Sequence, residues 1–239
     1  TSEDGNNEKR EIARRSRDYF WYSPILAPLL KGRVADALIL ATSEADVVAA
    51  STAAVKHGVP LTARGAGTGN YGQAVPLRGG AVLDLSGLDE IEHIDAEAGT
   101  VRAGAGAKLG AIEDAARAQG WELRQHPSTR RMASIGGFVA GGSTGHGALL
   151  HGGLSEDGAI LGLRVVTAEP PTPRVLELRG RDVFPVVHAY GTNGIITAVE
   201  IPLARAQPWT DVTAAFPTLA AASAFALDVA NAPAVVKRA

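Results

Sequence analysis

The sequence predicts an α+β protein made of two small sheet-plus-helix lobes that meet near residue 88. Three observations predict it. Residues 37–64 read as a strand–helix–strand unit of crossover length. Residues 91–103 and 159–178 read as antiparallel hairpins. Two glycine-rich segments, 64–73 and 127–147, interrupt the regular elements.

Taken in order, residues 8–20 read as a polar first helix after a disordered lead, and Pro24 and Pro28 break the segment after it. ALILA at 37–41 reads as a short buried strand. Ser43 then offers an N-cap, and Asp46 three residues on completes a capping box. Val47, Val48, Ser51, Ala54 and Val55 form a helical stripe that stops at Gly58. VPLTAR at 59–64 and residues 81–85 read as strands. The first hairpin pairs 91–95 with 100–103. A helix at 107–119 lines up Leu109, Ile112 and Ala116 and ends at Gly120, before a strand at 121–125. AILGLRVVT (159–167) and RVLEL (174–178) form the second hairpin, with Pro170, Pro171 and Pro173 at its turn. Residues 182–189 read as a short helix and GIITAVEIPL (194–203) as a strong strand. A further strand is expected after Pro208, then an alanine-rich helix from Thr218.

Composition narrows the function classes. The 239 residues carry 23 Lys+Arg against 25 Asp+Glu, so there is no basic excess of the kind nucleic acid requires. The absence of cysteine removes disulfides, thiol catalysis and Cys-ligated metal sites. The first 18 residues are charged throughout, unlike a signal peptide, so no targeting segment and a cytoplasmic location are expected. The long uncharged stretch at 132–155 contains eight glycines and cannot form a membrane span. The chain starts at Thr, so it is expected to be processed or cut from something longer.

The glycine segments carry the chemistry. RGAGTGNYGQ (64–73) follows a strand directly, and its glycines let the backbone approach a ligand and turn successive N–H groups inward as an anion nest. Gly67, Gly69 and Gly72 satisfy G-x-G-x-x-G, but a dinucleotide fingerprint must open a helix, and Pro76, Gly79 and Gly80 forbid one. No Walker motif occurs. The segment reads as a phosphate cradle of another kind, or as an ordinary glycine-rich turn. In the second segment, PSTRRMASIGGFVAGGSTGHG, Ser134 can cap a short helix whose N-terminus would face a ligand. A second cluster, Gly141, Gly142, Ser143, Thr144 and Gly145, comes within two turns. Two donor arrays fit a long, two-ended anionic ligand.

Gly141–Gly145 also satisfies G-x-S-x-G, and Asp157 and His188 come after Ser143 in hydrolase order. A nucleophile elbow needs a strand before it and a helix after it, and neither is convincing here. A serine hydrolase is therefore kept only as a third reading. The six histidines show no strong metal spacing. His126 and His146 lie in the glycine-rich region, where a structural or solvent-facing role is the plainer reading.

RGAGTGN after a strand, PS followed by ASIGG, a later GLRVVT strand and GTNGIIT before a final strand occur here in one order. That order resembles the FAD-binding (PCMH-type) domain of the vanillyl-alcohol oxidase/p-cresol methylhydroxylase superfamily, closest to FAD-linked oxidases of the glycolate oxidase and D-lactate dehydrogenase type. The resemblance covers about 37–203. It implies FAD between two α+β lobes and an oxidoreductase acting on a 2-hydroxy acid or related alcohol. Arg64, Gly65, Ala66, Gly67, Thr68, Gly69 and Asn70, continued by Gly72 and Gln73, would wrap the pyrophosphate. Pro127, Ser128, Ala133, Ser134, Gly136 and Gly137 would line the flavin and ribityl side. Gly141, Gly142, Ser143 and Thr144 would extend that wall. Gly194, Ile195 and Ile196 would hold the adenine end.

The resemblance also implies departures. Relatives with flavin attached covalently in this domain carry His where this chain has Thr68, so non-covalent FAD is expected. Tyr190 stands where relatives often have an acidic residue. Relatives carry roughly 200 further residues that form a cap and supply most catalytic groups, so no catalytic residue is assigned in this chain. The expected division is a helical lead at 1–36, FAD-binding lobes at 37–88 and 89–207, and the start of a truncated cap at 208–239. Expected partners are a small-molecule substrate, the missing cap or a second subunit, and a second copy as a homodimer. A catalytically silent FAD-binding subunit docked through the Leu219/Phe225/Val229 helix face is the alternative reading.

Overall fold

The structure is a computed structural model that describes residues 2–232 and 237, with the closing residues of the expected cap start, 233–236 and 238–239, outside it. Helix α1 (Ser2–Arg15) opens the chain, so the expected disordered lead is helical and the helix ends earlier than residue 20. It stops because residues 16–19 are engaged elsewhere: the buried Ser16 Oγ accepts from Ala35 N–H at 3.0 Å. A 3₁₀ turn at Phe20–Tyr22 precedes the five-residue helix α2 (Leu26–Leu30). Pro28 lies in the first turn of α2, where its missing N–H has no helical partner to lose.

The first sheet has three parallel strands in the order β1 (Ala37–Leu40), β3 (Ala81–Asp84), β2 (Leu61–Arg64). Helix α3 (Glu44–His57) makes the crossover from β1 to β2. The capping box predicted at Ser43 is present, with Asp46 reciprocating, and Gly58 closes the helix at φ 63°. Ser43→Ala should lower unfolding stability by about 1 kcal/mol, read from the urea midpoint. Strand β1 is not the buried strand expected. It forms a sheet edge with Leu40 58% exposed, while the central β3 is buried throughout.

The second sheet is antiparallel, six-stranded and ordered β4 (Ile91–Asp95), β5 (Thr100–Gly104), β9 (Ile195–Arg205), β7 (Gly162–Val166), β8 (Val175–Arg179). Strand β6 (Trp121–Leu123) pairs with the far end of β9. Helix α4 (Leu109–Arg117) packs beside β6, and α5 (Ile135–Gly141) packs on β5 and β9. A single turn, α6 (Ala148–His151), comes next. Both predicted hairpins form. The expected helix at 182–189 is a 3₁₀ turn at Gly180–Val183 followed by turns, because Val139 and Ala140 carbonyls draw off the N–H groups of His188 and Tyr190. Among the described residues no strand forms after Pro208; residues 206–217 stay irregular apart from a bend and run to α7 (Leu219–Ala230), capped by Thr218.

The larger core joins α4, α5 and the antiparallel sheet through Leu109, Ile112, Leu123, Ile135, Leu163 and Leu203. A smaller core under α3 combines Val47, Leu83 and Leu85 with Val166 and Ile195 of the other sheet. The lobes therefore share apolar packing. Arg164 and Glu44 add a bidentate bridge across the junction, at 2.6 and 2.9 Å.

Candidate functional site

A cavity of about 320 Å³ opens where the two sheets meet α5. Its first wall is the segment after β2. Parallel strands end there, and a loop leaving their carboxyl ends is the usual place for a ligand in such sheets. The glycine loop is bound to α5 at its root, where Ser134 Oγ accepts from Ala66 N–H at 3.3 Å and from Gly137 N–H at 3.4 Å. Beyond that point, among the described residues, the N–H groups of Gly67, Thr68, Gly69 and Asn70 make no hydrogen bond. Four successive unpaired donors at a cavity wall are the kind of array an anion nest uses.

Beneath the loop lies the Arg64 guanidinium. It is 8% exposed, donates from Nη1 to the Arg17 carbonyl at 2.7 Å, and keeps Nε buried without a hydrogen-bond partner. Asp84 Oδ2 lies 3.8 Å from that Nε and also binds Arg15. Burial pulls the Arg64 guanidinium below its usual range, opposed by the charge of Asp84. Asp18 also lines the cavity. Burial pushes its carboxyl above the usual range, opposed by N–H groups of Phe20, Gly72 and Ala74 and by Arg64.

The second glycine segment is held differently from its expectation. The antiparallel bridge between His126 and His146 closes it into a loop carrying α5. The first N–H groups of α5 are not offered to a ligand. Ile135 N–H donates to Ala107 O and Gly136 N–H to Ala105 O, both at 2.9 Å, and Gly137 N–H goes to Ser134 Oγ. The first turn of α5 thus offers no free donor, and the second segment supplies a close-packed wall.

Of the predicted site residues, Arg64 to Asn70, Gln73, Pro127, Ser128, Ala133, Ser134, Gly136, Gly137, Gly141, Ser143, Gly194, Ile195 and Ile196 line this one cavity. Gly72, Gly142 and Thr144 do not. Gly72 packs under Leu30, Gly142 under the His188 ring, and the Thr144 methyl lies against Gly153. Among the lining residues that sequence reasoning missed are Asp18, Tyr71, Leu85, Ala105, Phe138 and Gly191, and it mentioned Tyr190 without placing it. Tyr190 carried a usable signal, since it sits beside a glycine at a turn and adopts φ 51°. Asp18 carried none, because its partner Gly72 lies 54 residues away.

The hydrolase reading is overturned by geometry. Ser143 comes after a helix, not a strand. The Asp157 carboxylate is taken by Arg181 at 3.0 Å, and His188 Nε2 meets the Tyr190 hydroxyl at 2.9 Å. Neither is left to activate Ser143.

His126 is buried, with Nδ1 3.1 Å from the Pro127 carbonyl and its ring edge-on to His146. Burial lowers its pKa from 6.5, reinforced by Arg130, Lys237 and His146 and opposed by Pro127 O. The unfolded chain therefore takes up this proton first. Stability should be full above pH 6.5 and fall as the pH drops below it. Urea midpoints between about pH 8 and pH 5 should show this, with a shallower slope in His126→Gln.

A row of unpaired backbone donors in a glycine-lined cleft between a parallel and an antiparallel sheet defines a domain for a nucleotide cofactor. Residues 35–170, more than half of the chain, match the FAD binding domain family, and the chain belongs to that family. It is 29% identical over 216 residues to a D-lactate dehydrogenase of Archaeoglobus fulgidus, covering 85% of this chain and 47% of that protein. It is 29% identical over 174 residues to the glycolate oxidase subunit GlcD of Bacillus subtilis, covering 70% of this chain and 37% of that protein. A solved structure of an alkyldihydroxyacetonephosphate synthase shares the fold at TM-score 0.69 and 24% identity, over 82% of this chain and 40% of that one. The chain spans half or less of each of these proteins.

FAD is the cofactor of this family, and the residues present fit it. The unpaired N–H groups at 67–70 suit the diphosphate, with the buried Arg64 guanidinium adding positive charge beneath them. The wall at Gly191, Gly194, Ile195 and Ile196 offers apolar surface of the kind a flat ring takes. No helix among the described residues is long and apolar enough to cross a membrane, and no group of three or more metal-ligating side chains forms among them.

Proposed function

We propose that this chain is the FAD-holding module of an oxidoreductase that oxidises a 2-hydroxy acid or a related alcohol. The observation that carries the reading is the row of free N–H donors at 67–70 on a chain of the FAD binding domain family. FAD, when bound, supplies the hydride acceptor. The N–H groups of Gly67, Thr68, Gly69 and Asn70 bind its diphosphate, and Arg64 adds positive charge from below. Gln73, whose Oε1 accepts from Tyr71 N–H at 2.9 Å, braces the loop on its outer side. Pro127, Ser128 and Ala133 flank the flavin and ribityl portion. Tyr190, Gly191, Gly194, Ile195 and Ile196 border the adenine. Thr68 offers the flavin only a hydroxyl, which supports non-covalent binding.

The substrate class is taken from the names of the two curated relatives, which are a D-lactate dehydrogenase and a glycolate oxidase subunit. A 2-hydroxy acid also needs a carboxylate clamp and a base. The ionisable residues of the cavity, Asp18, Arg64, Tyr71 and Tyr190, are committed to the cradle or stand at its far end. The substrate-facing groups would therefore come from a further segment or a partner subunit. Fluorescence titration of the chain with FAD should saturate at one equivalent, with ADP competing, and a titration that never saturates contradicts the reading. For the substrate, anaerobic D-lactate or glycolate should bleach the visible flavin band of the complete enzyme. No bleaching by any 2-hydroxy acid would contradict that half.

A docked, catalytically silent subunit is favoured by one observation. Helix α7 buries no residue, with Leu219 and Leu227 83% and 64% exposed. Sedimentation of the chain as a clean monomer at high concentration would weaken self-association through that face.

A further inference from the structure

The segment before residue 35 lies outside the family match, yet it is bonded to the glycine loop at several consecutive positions. Arg15 binds the buried Asp84 at the end of β3. The Arg17 carbonyl accepts from Arg64 Nη1 at 2.7 Å. Asp18, 4% exposed, accepts from Gly72 N–H through Oδ2 at 3.0 Å and from Phe20 N–H through Oδ1 at 2.8 Å. Tyr19 N–H donates to the Gly69 carbonyl at 2.8 Å. Between Arg15 and Asp18, Ser16 Oγ ties the strap to itself at Ile12 and to Ala35.

These contacts grip the loop at its root, through Arg64 and Asp84, and at its tip, through Gly69 and Gly72. None of them takes an N–H from residues 67–70. A glycine loop with four unpaired donors tends to fold inward or pair with itself, because glycine backbone is the least restrained and unmet donors are costly. A strap that holds the Gly69 carbonyl and the Gly72 N–H keeps the loop spread without consuming the donors a ligand needs. The charged acceptor matters most, since a carboxylate receiving several backbone N–H groups binds them more strongly than a neutral acceptor.

We propose that residues 15–19 are a clasp that holds the glycine loop open as a diphosphate cradle, with Asp18 as the positioning residue. The clasp rests on the reading that this loop holds the diphosphate of FAD. Asp18 acts on the loop backbone and contributes no chemistry of its own. Asparagine in its place keeps one acceptor oxygen, enough for Phe20 or Gly72 but not both. Alanine keeps neither.

The test uses the whole 239-residue chain with Asp18→Ala and Asp18→Asn, and Ser43→Ala as the control. Ser43→Ala loosens the fold at the α3 cap without touching the loop. Three quantities are read: affinity for FAD, affinity for ADP, and hydrogen exchange at the amides of 69–73 in the ligand-free chain. Asp18→Ala should weaken FAD and ADP together by about tenfold or more, and Asp18→Asn by about threefold to tenfold. Both should lose exchange protection at Tyr71 and Gly72, the bonded amides of that segment, while α3 keeps its own. Ser43→Ala should bind FAD within about twofold of the parent chain. If Asp18→Ala gives no cooperative melt, Asp18→Asn decides. Affinity within twofold of the parent and unchanged protection in a folded Asp18 variant overturn the clasp. If the parent chain itself binds no FAD, the cofactor reading fails separately. Exchange at 69–73 in Asp18→Asn then still decides the clasp, supporting it by lost protection and overturning it by none.

Discussion

Gly67→Asp should abolish FAD retention. Gly67 sits at φ 67°, where an L side chain costs about 1–2 kcal/mol before any contact is counted. A Cβ there would lie 2.0 Å from Arg64 Nη2 and 2.3 Å from its Cζ. A guanidinium end can swing aside when free, but this one is buried and fastened to the Arg17 carbonyl. Moving it would undo the root of the cradle, and leaving it would push the loop into the cavity. The new carboxylate would also offset the Arg64 charge that the proposed diphosphate site uses. Together these should lower affinity by about a hundredfold or more, so that the protein purifies colourless. Gly67→Ala, which adds bulk without charge, should lose less. A Gly67→Asp chain that takes up FAD at the parent stoichiometry would remove the loop from the binding site.

Gly136→Val should have the largest effect on stability. The first turn of α5 lies directly on the residue after β5, with Gly136 N–H bonded to Ala105 O at 2.9 Å. A Cβ on Gly136 would meet Ala105 Cβ at 2.6 Å, its carbonyl oxygen at 2.9 Å and its Cα at 3.0 Å. These are backbone and near-backbone atoms in the main core, not the end of a mobile side chain. Helix and strand must separate, and Ser134, which joins α5 to the glycine loop, moves with the helix. A loss of about 3 kcal/mol is expected, or roughly 6–12 °C in Tm for a chain of this size. FAD affinity should fall as well. An unchanged Tm would show that α5 does not bear on β5 as described.

Locally encoded features were legible in the residues. Ser43 with Asp46, the Gly58 stop and both hairpins depend on neighbours within a few positions, and all form as read. The segment after β2 was legible as a loop too, because Pro76, Gly79 and Gly80 forbid a helix there. What the sequence hid depends on distance along the chain. That β1 is an edge emerges only from β3 entering between β1 and β2. That α5 uses its own first donors depends on Ala105 and Ala107 arriving from a segment about 30 residues earlier. The clasp at 15–19 is invisible for the same reason, since Arg15 and Asp84 are 69 residues apart. The expected strand after Pro208 does not form; the residues around it turn back instead, with Gln207 N–H and the Trp209 indole bonded to the buried Glu122 carboxylate, 85 and 87 residues away.

The central claim is that the loop at 65–70 holds FAD without a covalent bond. Its most direct test is the visible absorbance spectrum of the chain after incubation with FAD and removal of the excess, repeated on the supernatant of the acid-precipitated protein. The account predicts a flavin spectrum at one equivalent that passes wholly into the supernatant, and its absence in Gly67→Asp. A chain that stays colourless after exposure to FAD, or flavin that stays in the protein pellet, would contradict it.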